Sequence, residues 1–399
     1  MGRARGVPDL PRAVWLLGWV SLATDAASEA IYPLLPFFLT SVLGAGAGAL
    51  GLIEGAAEAV NSLVKLASGR RADRAASKRP LVLLGYSLSS AVRPLVALTA
   101  TWPQVFVLRF LDRVGKGIRS APRDAMLAAL APRSRRGLVF GFHRGMDHAG
   151  AVVGPVLASV FLLAMPGAYR TLFLLTLIPG ALAVALIFFV REPPAPVEPA
   201  ATSRDARGGL PPSLTRVFAV IALFTLGNST DAYLLLRLTE AAGGPTYIPL
   251  VWAALHVVKS VSSVLGGAWS DRAGRVGVIA TGWGIYAIVY AGFATTESWW
   301  GLMGWFLLYG LYFGLTEGVE KALVADLAPA EARGFAFGLY TAVQGLGAFA
   351  ASVLFGALWV AFGPGVAFTT GAGLATAALL ALLALRGSLT PASTPASPI

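Results

Sequence analysis

Cysteine is absent from the 399 residues, which excludes disulfides and thiolate metal sites. Charge is scarce: Asp, Glu, Lys and Arg make up 13% of the chain, about half the ~25% expected of a soluble protein. Histidine occurs three times. No Gly-rich phosphate loop, nucleophile elbow or His-rich metal motif is present, which argues against a membrane enzyme. What fills the chain is apolar. Hydrophobic residues make up 56%, and runs of about 20 of them recur along most of the length, the signature of a polytopic membrane protein. The basic segment Met1–Arg12 leads into an apolar stretch long enough to stay in the membrane as a first span, and no cleaved signal peptide is evident.

The pattern predicts an all-α polytopic protein with spans at 13–42, 46–70, 80–100, 103–130, 137–165, 169–191, 213–241, 246–270, 275–295, 299–327, 333–362 and 365–386. The net charge of +11 does not call for nucleic acid, because the positives sort into alternate connections. One side carries Arg3, Arg5 and Arg12, the groups Arg70–Arg79 and Arg133–Arg136, then Arg191, Arg204, Arg207, Arg216, Arg272, Arg275, Arg333 and Arg386; the other carries Arg170 and Glu297. Both termini are therefore expected in the cytoplasm, with Trp102, Trp299 and Trp300 in an outer aromatic belt. The expected organisation is a six-helix bundle at 1–191, a proline-rich linker at 192–212, a second six-helix bundle at 213–386 and a disordered tail at 387–399. The expected partners are the bilayer, protons and a small-molecule substrate, and the chain is expected to act as a monomer.

Span 4 concentrates the charge. At about 100° per residue, Arg109, Asp112, Arg113, Lys116, Arg119, Arg123 and Asp124 fall within an arc of roughly 140°. Each charge at the bilayer centre costs about 2.5–3.5 kcal/mol, so this face is predicted to line a water-filled cavity walled by protein. Arg119 and Arg123 also have a simpler reading, as side chains that snorkel to the interface.

The chain repeats. Ser68-Gly69-Arg70-Arg71-Ala72-Asp73-Arg74 corresponds to Gly266-Gly267-Ala268-Trp269-Ser270-Asp271-Arg272, followed by Gly274 and Arg275. At nearly the same offset, Gly117, Ala131-Pro132, Arg136-Gly137, Gly141 and Gly150 correspond to Gly314, Ala328-Pro329, Arg333-Gly334, Gly338 and Gly347. Thr24-Asp25 of span 1 corresponds to Thr230-Asp231 of span 7. Two six-span repeats around a midplane site is transporter architecture.

In these residues the chain resembles the major facilitator superfamily over essentially its whole length. Gly69, Asp73 and Arg74, with the fuller second copy Gly267, Asp271, Arg272 and Arg275, match the family's loop motif. The resemblance implies a latch on the cytoplasmic side: the glycine for close helix approach, the aspartate for a helix N-terminus or an arginine across the bundle. Arg113, Gly117, Ser120 and Ala121 match the span-4 pattern, whose arginine the family associates with proton coupling. Lys116 and Arg119 stand where that pattern has a glutamine and a glycine, adding two cations. Gly141, Gly150, Gly154 and Pro155 match the span-5 motif of exporters that exchange substrate for protons. What the resemblance implies is a major facilitator fold of two pseudo-two-fold-related bundles.

Further ionisable residues form stripes: Asp25 and Glu29 in span 1; Glu54, Glu58, Asn61 and Lys65 in span 2; His143 with Asp147 and Arg144 with His148 in span 5. Spans 7, 8 and 10 add Asn228, Asp231 and Arg237, then His256 and Lys259, then Glu317, Glu320 and Lys321. The repeat sets Arg123-Asp124 against Glu320-Lys321 in reversed order, which suggests reciprocal ion pairs between the halves. A carboxylate in a partly desolvated cavity can load and release a proton near neutral pH, or neutralise a span-4 cation. Asp25, Asp147, Glu58 and Asp231 are the candidates. His143, Asp147 and His148 are weak metal candidates, because Arg144 lies between them.

The expected activity is secondary transport by alternating access, coupled to protons and directed outward, with no cofactor beyond the proton gradient. The cations of span 4 favour an anionic solute or a metal chelate. The span-5 motif favours the alternative of proton-driven efflux of amphiphilic compounds. A divalent metal ion is a less favoured cargo.

Overall fold

A computed structural model describes residues 10–75, 77–130, 136–192, 210–328 and 333–389. The core of the predicted linker, the tail beyond 389, and Arg3, Arg5, Arg133 and Arg135 lie outside the described residues. Within them every regular element is helical, and the helices group into twelve spans. Eight are long and apolar enough to cross a membrane by composition. The more polar four are spans 1, 2, 4 and 10, which carry most of the ionisable stripes.

Four spans depart from a single straight helix. Span 1 runs Arg12–Ile31, then tightens at Pro33 and Pro36 and ends in a π-turn, Phe38–Val42. Each proline removes an N–H from the helix ladder, which is what loosens the register. Span 3 is Arg79–Val92, continued by a 3₁₀ turn from Pro94. Span 6 is split into Tyr169–Leu175 and Leu177–Phe188. Span 7 is Pro212–Gly227 and Ala232–Ala242. The others are continuous: span 2 Ala47–Arg74, span 4 Trp102–Leu130, span 5 Arg136–Ala164, span 8 Ile248–Ala273, span 9 Arg275–Thr295, span 10 Trp299–Leu327, span 11 Arg333–Phe362 and span 12 Pro364–Leu389. Gly274 joins spans 8 and 9 at φ +86°, a conformation that favours glycine.

Helix pairing repeats between the halves. Pairs 1·5, 2·4, 3·4, 1·6 and 3·6 in the first bundle are matched by 7·11, 8·10, 9·10, 7·12 and 9·12 in the second. The bundles meet along spans 2·11 and 5·8. The 2·11 seam is made of small residues. A Cβ on Gly51 would collide with the Ser352 carbonyl, one on Gly55 would come within 3.2 Å of the Phe349 Cα, one on Gly345 would strike Ser62, and one on Gly356 would lie 3.2 Å from the Gly48 Cα. In a bilayer, where lipid is as apolar as leucine, such close packing is what holds helices together.

An even number of spans puts the first and last described residues at one end of the molecule. At the opposite end the bundles are tied together. The Tyr233 hydroxyl donates to the Ala47 carbonyl at 3.0 Å, and the Tyr32 and Thr230 hydroxyls lie 3.4 Å apart. At that end Arg170 donates to the carbonyls of Ala97 and Thr99 at 2.5 and 2.7 Å.

Candidate functional site

Span 7 opens at mid-depth, and four tyrosines from spans 9 and 10 hold the opening. The Tyr286 hydroxyl donates to the Gly227 carbonyl at 2.8 Å. Asn228 Nδ2 donates to the Tyr312 hydroxyl at 2.9 Å. The Ser229 and Tyr290 hydroxyls share a hydrogen bond of 3.0 Å, and the Tyr309 hydroxyl donates to Asp231 Oδ1 at 2.7 Å. From span 11, Ser352 Oγ accepts the Thr230 N–H at 3.3 Å. Non-helical backbone at membrane depth survives only where protein satisfies it or it lines a cavity, and both hold here.

Residues Asn228–Asp231 form part of the wall of a cavity of about 450 Å³. Tyr32 of span 1, Arg113 of span 4, five polar residues of span 2 and the facing stripes of spans 10 and 11 complete it. Glu54, Glu58, Asp231, Glu317 and Glu320 are its acids; Lys65, Arg113 and Lys321 are its bases. The outermost, Lys65, Glu317 and Lys321, are exposed. The cavity therefore opens toward the end that bears the first and last described residues. At its buried side Glu320 accepts from Trp283 Nε1 at 3.0 Å, the Tyr340 hydroxyl at 3.0 Å and Gln344 Nε2 at 3.1 Å.

The charged face of span 4 divides. Arg109 grips Glu54 with two hydrogen bonds, Nε to Oε1 at 3.0 Å and Nη2 to Oε2 at 2.8 Å, and lies 3.7 Å from Asp112. Asp112 in turn takes Arg93 Nη2 of span 3 at 2.9 Å. These four buried groups, two of each sign, form a neutral chain across spans 2, 3 and 4. Arg119 is 4% exposed, with its guanidinium 4.3 Å from the Tyr86 ring centroid. Arg123 pairs with its neighbour Asp124 at 2.9 Å. Lys116 is half-buried. Among the described residues, Arg113 is the span-4 member of the cavity wall. The sequence places the whole face on that wall; the structure turns most of it into the first bundle, where partners from spans 2 and 3 meet it.

The acids of spans 1 and 5 form a second cluster beside the cavity. Asp25 faces span 5: its Cβ would lie 3.0 Å from a Cβ on Gly150. Asp147 accepts from the Ser21 hydroxyl of span 1 and lies 3.6 Å from His143 Nδ1 and 3.7 Å from Arg144. Arg144 also reaches Glu317 across the bundles at 3.8 Å. Glu29 accepts from Trp252 Nε1 of span 8 at 2.8 Å, with His256 Nε2 3.9 Å away. Asp231 lies 3.6 Å from Lys259. The reciprocal pairing read from the repeat takes another form: Arg123 pairs with Asp124 and Lys321 with Glu317, each within its own span. Among the described residues no group of three or more His, Asp or Glu side chains is arranged to hold a metal, and His148 is half-buried.

A family model of the major facilitator superfamily matches residues 17–258 and 217–398. The chain belongs to that superfamily. An uncharacterized MFS-type transporter from Methanocaldococcus jannaschii is 34% identical over 381 residues, which cover 94% of this chain and 95% of that one. Two crystal structures share the fold at low identity. A POT family transporter in complex with 5-aminolevulinic acid has a TM-score of 0.82 at 13% identity, covering 97% of this chain and 98% of its own. A bacterial homologue of the human lysosomal transporter Spinster, in an inward-facing and occupied conformation, has a TM-score of 0.72 at 15% identity, covering 94% of this chain and 95% of its own. The chain is thus a multi-pass secondary transporter of the major facilitator type.

The superfamily motifs take definite places. Gly150 and Gly154 pack span 5 on span 1, where a Cβ would collide with the Leu22 and Ala26 carbonyls; Pro155 is buried beside them. Gly69 sits beside Ala121 of span 4, 3.5 Å from where its Cβ would be. Gly267 does not make the close approach read into it: a Cβ there would meet nothing within 4 Å among the described residues, whereas one on Gly266 would collide with Gly314. Arg275 reaches Asp326 at 3.3 Å and Ser270 Oγ at 2.6 Å, joining spans 8, 9 and 10, while Arg272 is exposed. For Asp73, Arg74, Gly141 and Asp271 only the helical backbone is among the described residues.

Sequence reasoning missed Arg93 and the tyrosine scaffold. Both left signals. Arg93 is a lone cation in an apolar run, which marks a functional or paired site by default. Tyr286 with Tyr290 and Tyr309 with Tyr312 are spaced four and three apart, the spacings that share one helix face.

Proposed function

We propose that this protein is a proton-coupled secondary transporter that exports a small amphoteric solute across the cytoplasmic membrane, as a monomer with both termini in the cytoplasm. The observation that carries the reading is the mixed charge of the cavity wall, which holds Arg113 together with Glu58, Asp231 and Glu317. A guanidinium suits a carboxylate or phosphate of the cargo, and the acids suit its cationic or hydrogen-bond-donating pole. A purely anionic cargo rested on five cations facing the cavity; with one of them on the wall and Glu54 neutralised by Arg109, four further carboxylates share the wall with three cations. The acids of spans 1, 5 and 7 supply proton-carrying groups beside the site. Outward direction is favoured by the span-5 motif, whose glycines seat span 5 on span 1 beside Asp25. Efflux of amphiphilic compounds is the second reading, favoured by Tyr312, Phe313 and Tyr340 on the same wall.

The test is exchange in proteoliposomes that hold a pH-sensitive dye. Amphoteric solutes should drive saturable proton movement, and Arg113→Ala should abolish it. Movement driven equally by simple monoanions, or surviving in Arg113→Ala, would rule the amphoteric reading out. Ungated flux would rule out a carrier.

A further inference from the structure

Lys259 stands behind the cavity wall, in a pocket made for a cation. Its ammonium lies 3.4 Å from the centroid of the Phe313 ring and 5.3 Å from that of Trp252. The Asp231 carboxylate is 3.6 Å away, longer than the roughly 2.7–2.9 Å of a charge-assisted hydrogen bond. The ring faces and the unit negative charge, rather than one directed bond, therefore hold the ammonium. The side chain is 14% exposed.

The pocket is built independently of the lysine. The Tyr309 hydroxyl fixes Asp231 at 2.7 Å, and Glu29 fixes the Trp252 indole at 2.8 Å. Phe313 packs edge-on against Tyr309, with ring centroids 5.0 Å apart. One acid and two ring faces converging on a point is the chemistry that recognises an alkylammonium ion, and it gains strength where water is excluded. Asp231 and Phe313 both belong to the cavity wall, so the pocket borders the space a solute enters. Lysine is a compact ammonium on a flexible four-carbon stem, able to leave such a pocket without moving its helix.

We propose that Asp231, Phe313 and Trp252 form an alkylammonium site, that Lys259 is its tethered occupant, and that the cationic pole of the cargo competes with Lys259 for it. This rests on the amphoteric-solute reading and names the chemistry of one pole. A cargo amine would displace Lys259 toward the cavity, whose wall also carries Glu317 and Glu320. Lys259 would then set specificity: only cations that fit the rings better than a lysine tip gain entry.

The probe is tetramethylammonium, which carries charge but no hydrogen-bond donor, titrated by calorimetry into purified protein at constant ionic strength. Lys259→Ala should bind it about tenfold more tightly than the unaltered protein, as vacating a desolvated cation–π pocket allows. Lys259→Arg should show no gain, and Lys259→Ala combined with Asp231→Asn should lose it. Should Lys259→Ala unfold, Lys259→Gln keeps the length without the charge and should gain in the same direction. A folded Lys259→Ala or Lys259→Gln protein with unaltered affinity overturns the proposal, as does a gain that persists with Asp231→Asn. Calorimetry needs no transport, so the two readings fail separately: a gain without amphoteric-solute exchange sinks the amphoteric-solute reading, and exchange without a gain sinks this one alone.

Discussion

Trp252 donates its indole N–H to Glu29 across the interface between the bundles, with N and O 2.8 Å apart. It belongs to the set of contacts that shut the far end, together with Tyr32–Thr230 and Tyr233–Ala47. A hydrogen bond to a charged group is worth about 1.5–3 kcal/mol. Glu29→Ala should therefore shift the balance between the two access states by about ten- to a hundredfold toward the form open at that end. The native chain has no cysteine, so spin labels on Val42→Cys and Tyr247→Cys report that end alone. The inter-label distance should lengthen in Glu29→Ala; an unchanged distribution would remove Glu29 from the closure.

The chain Arg93–Asp112–Arg109–Glu54 is buried throughout. Removing one partner of a buried ion pair leaves an uncompensated charge, at a cost of about 3–5 kcal/mol. Arg93→Ala should lower the unfolding temperature sharply. Arg93→Met combined with Asp112→Leu should lose less than Asp112→Leu alone, because it leaves fewer stranded charges. Thermal melts in detergent check this, and equal losses in the single and double variants would contradict it.

Glu192, outside the membrane spans, clasps the start of span 3. Burial would raise its carboxyl, but the Ser77 hydroxyl at 2.6 Å and the N–H groups of Lys78 and Arg79 hold it below the usual glutamate value. A depressed folded-state pKa means that the stabilisation is complete above the unfolded value and fades as pH falls through the folded one. The clasp should thus weaken only below about pH 4.3, the ordinary glutamate pKa. Glu192→Gln should cost stability at neutral pH and level with the unaltered protein in acid, when melts are followed across that range. Parallel curves at every pH would count against it.

Asp25 sits on the face of span 1 against Gly150, beside the Asp147 cluster and off the cavity wall. If it carries the coupled proton, Asp25→Asn should lose gradient-driven accumulation in proteoliposomes while keeping solute-for-solute exchange. Accumulation that survives would leave Asp147, Glu58 and Asp231 as the candidates for the proton.

Much of the fold is legible from apolar runs and the internal repeat, because helix length in a bilayer is set by thickness and motif spacing by symmetry. The twelve spans fall within a few residues of their expected places. The break in span 7 is not legible, since Asn228-Ser229-Thr230 carries no proline and opens only because tyrosines from spans 9 and 10 meet it. The charges of span 4 show a related limit. Helical periodicity shows that Arg109 and Arg113 share a broad face, but not that Glu54 and Asp112 claim Arg109 while Arg113 stays on the cavity wall. Which charge is left for a solute depends on neighbours distant in sequence.

The glycine seam between spans 2 and 11 has a mechanical consequence. Two backbones in contact along the membrane depth behave as a rivet: the bundles can roll about the line but cannot part along it. Travel must then grow with distance from the rivet, as between scissor blades. The cavity acids that line span 2 near the seam move least, while the pairs Arg144–Glu317 and Trp252–Glu29, which join the bundles through spans 5, 10, 8 and 1, take up more of the travel. A cargo seated against the seam keeps its hold as the far walls exchange, so affinity can stay level while access changes sides.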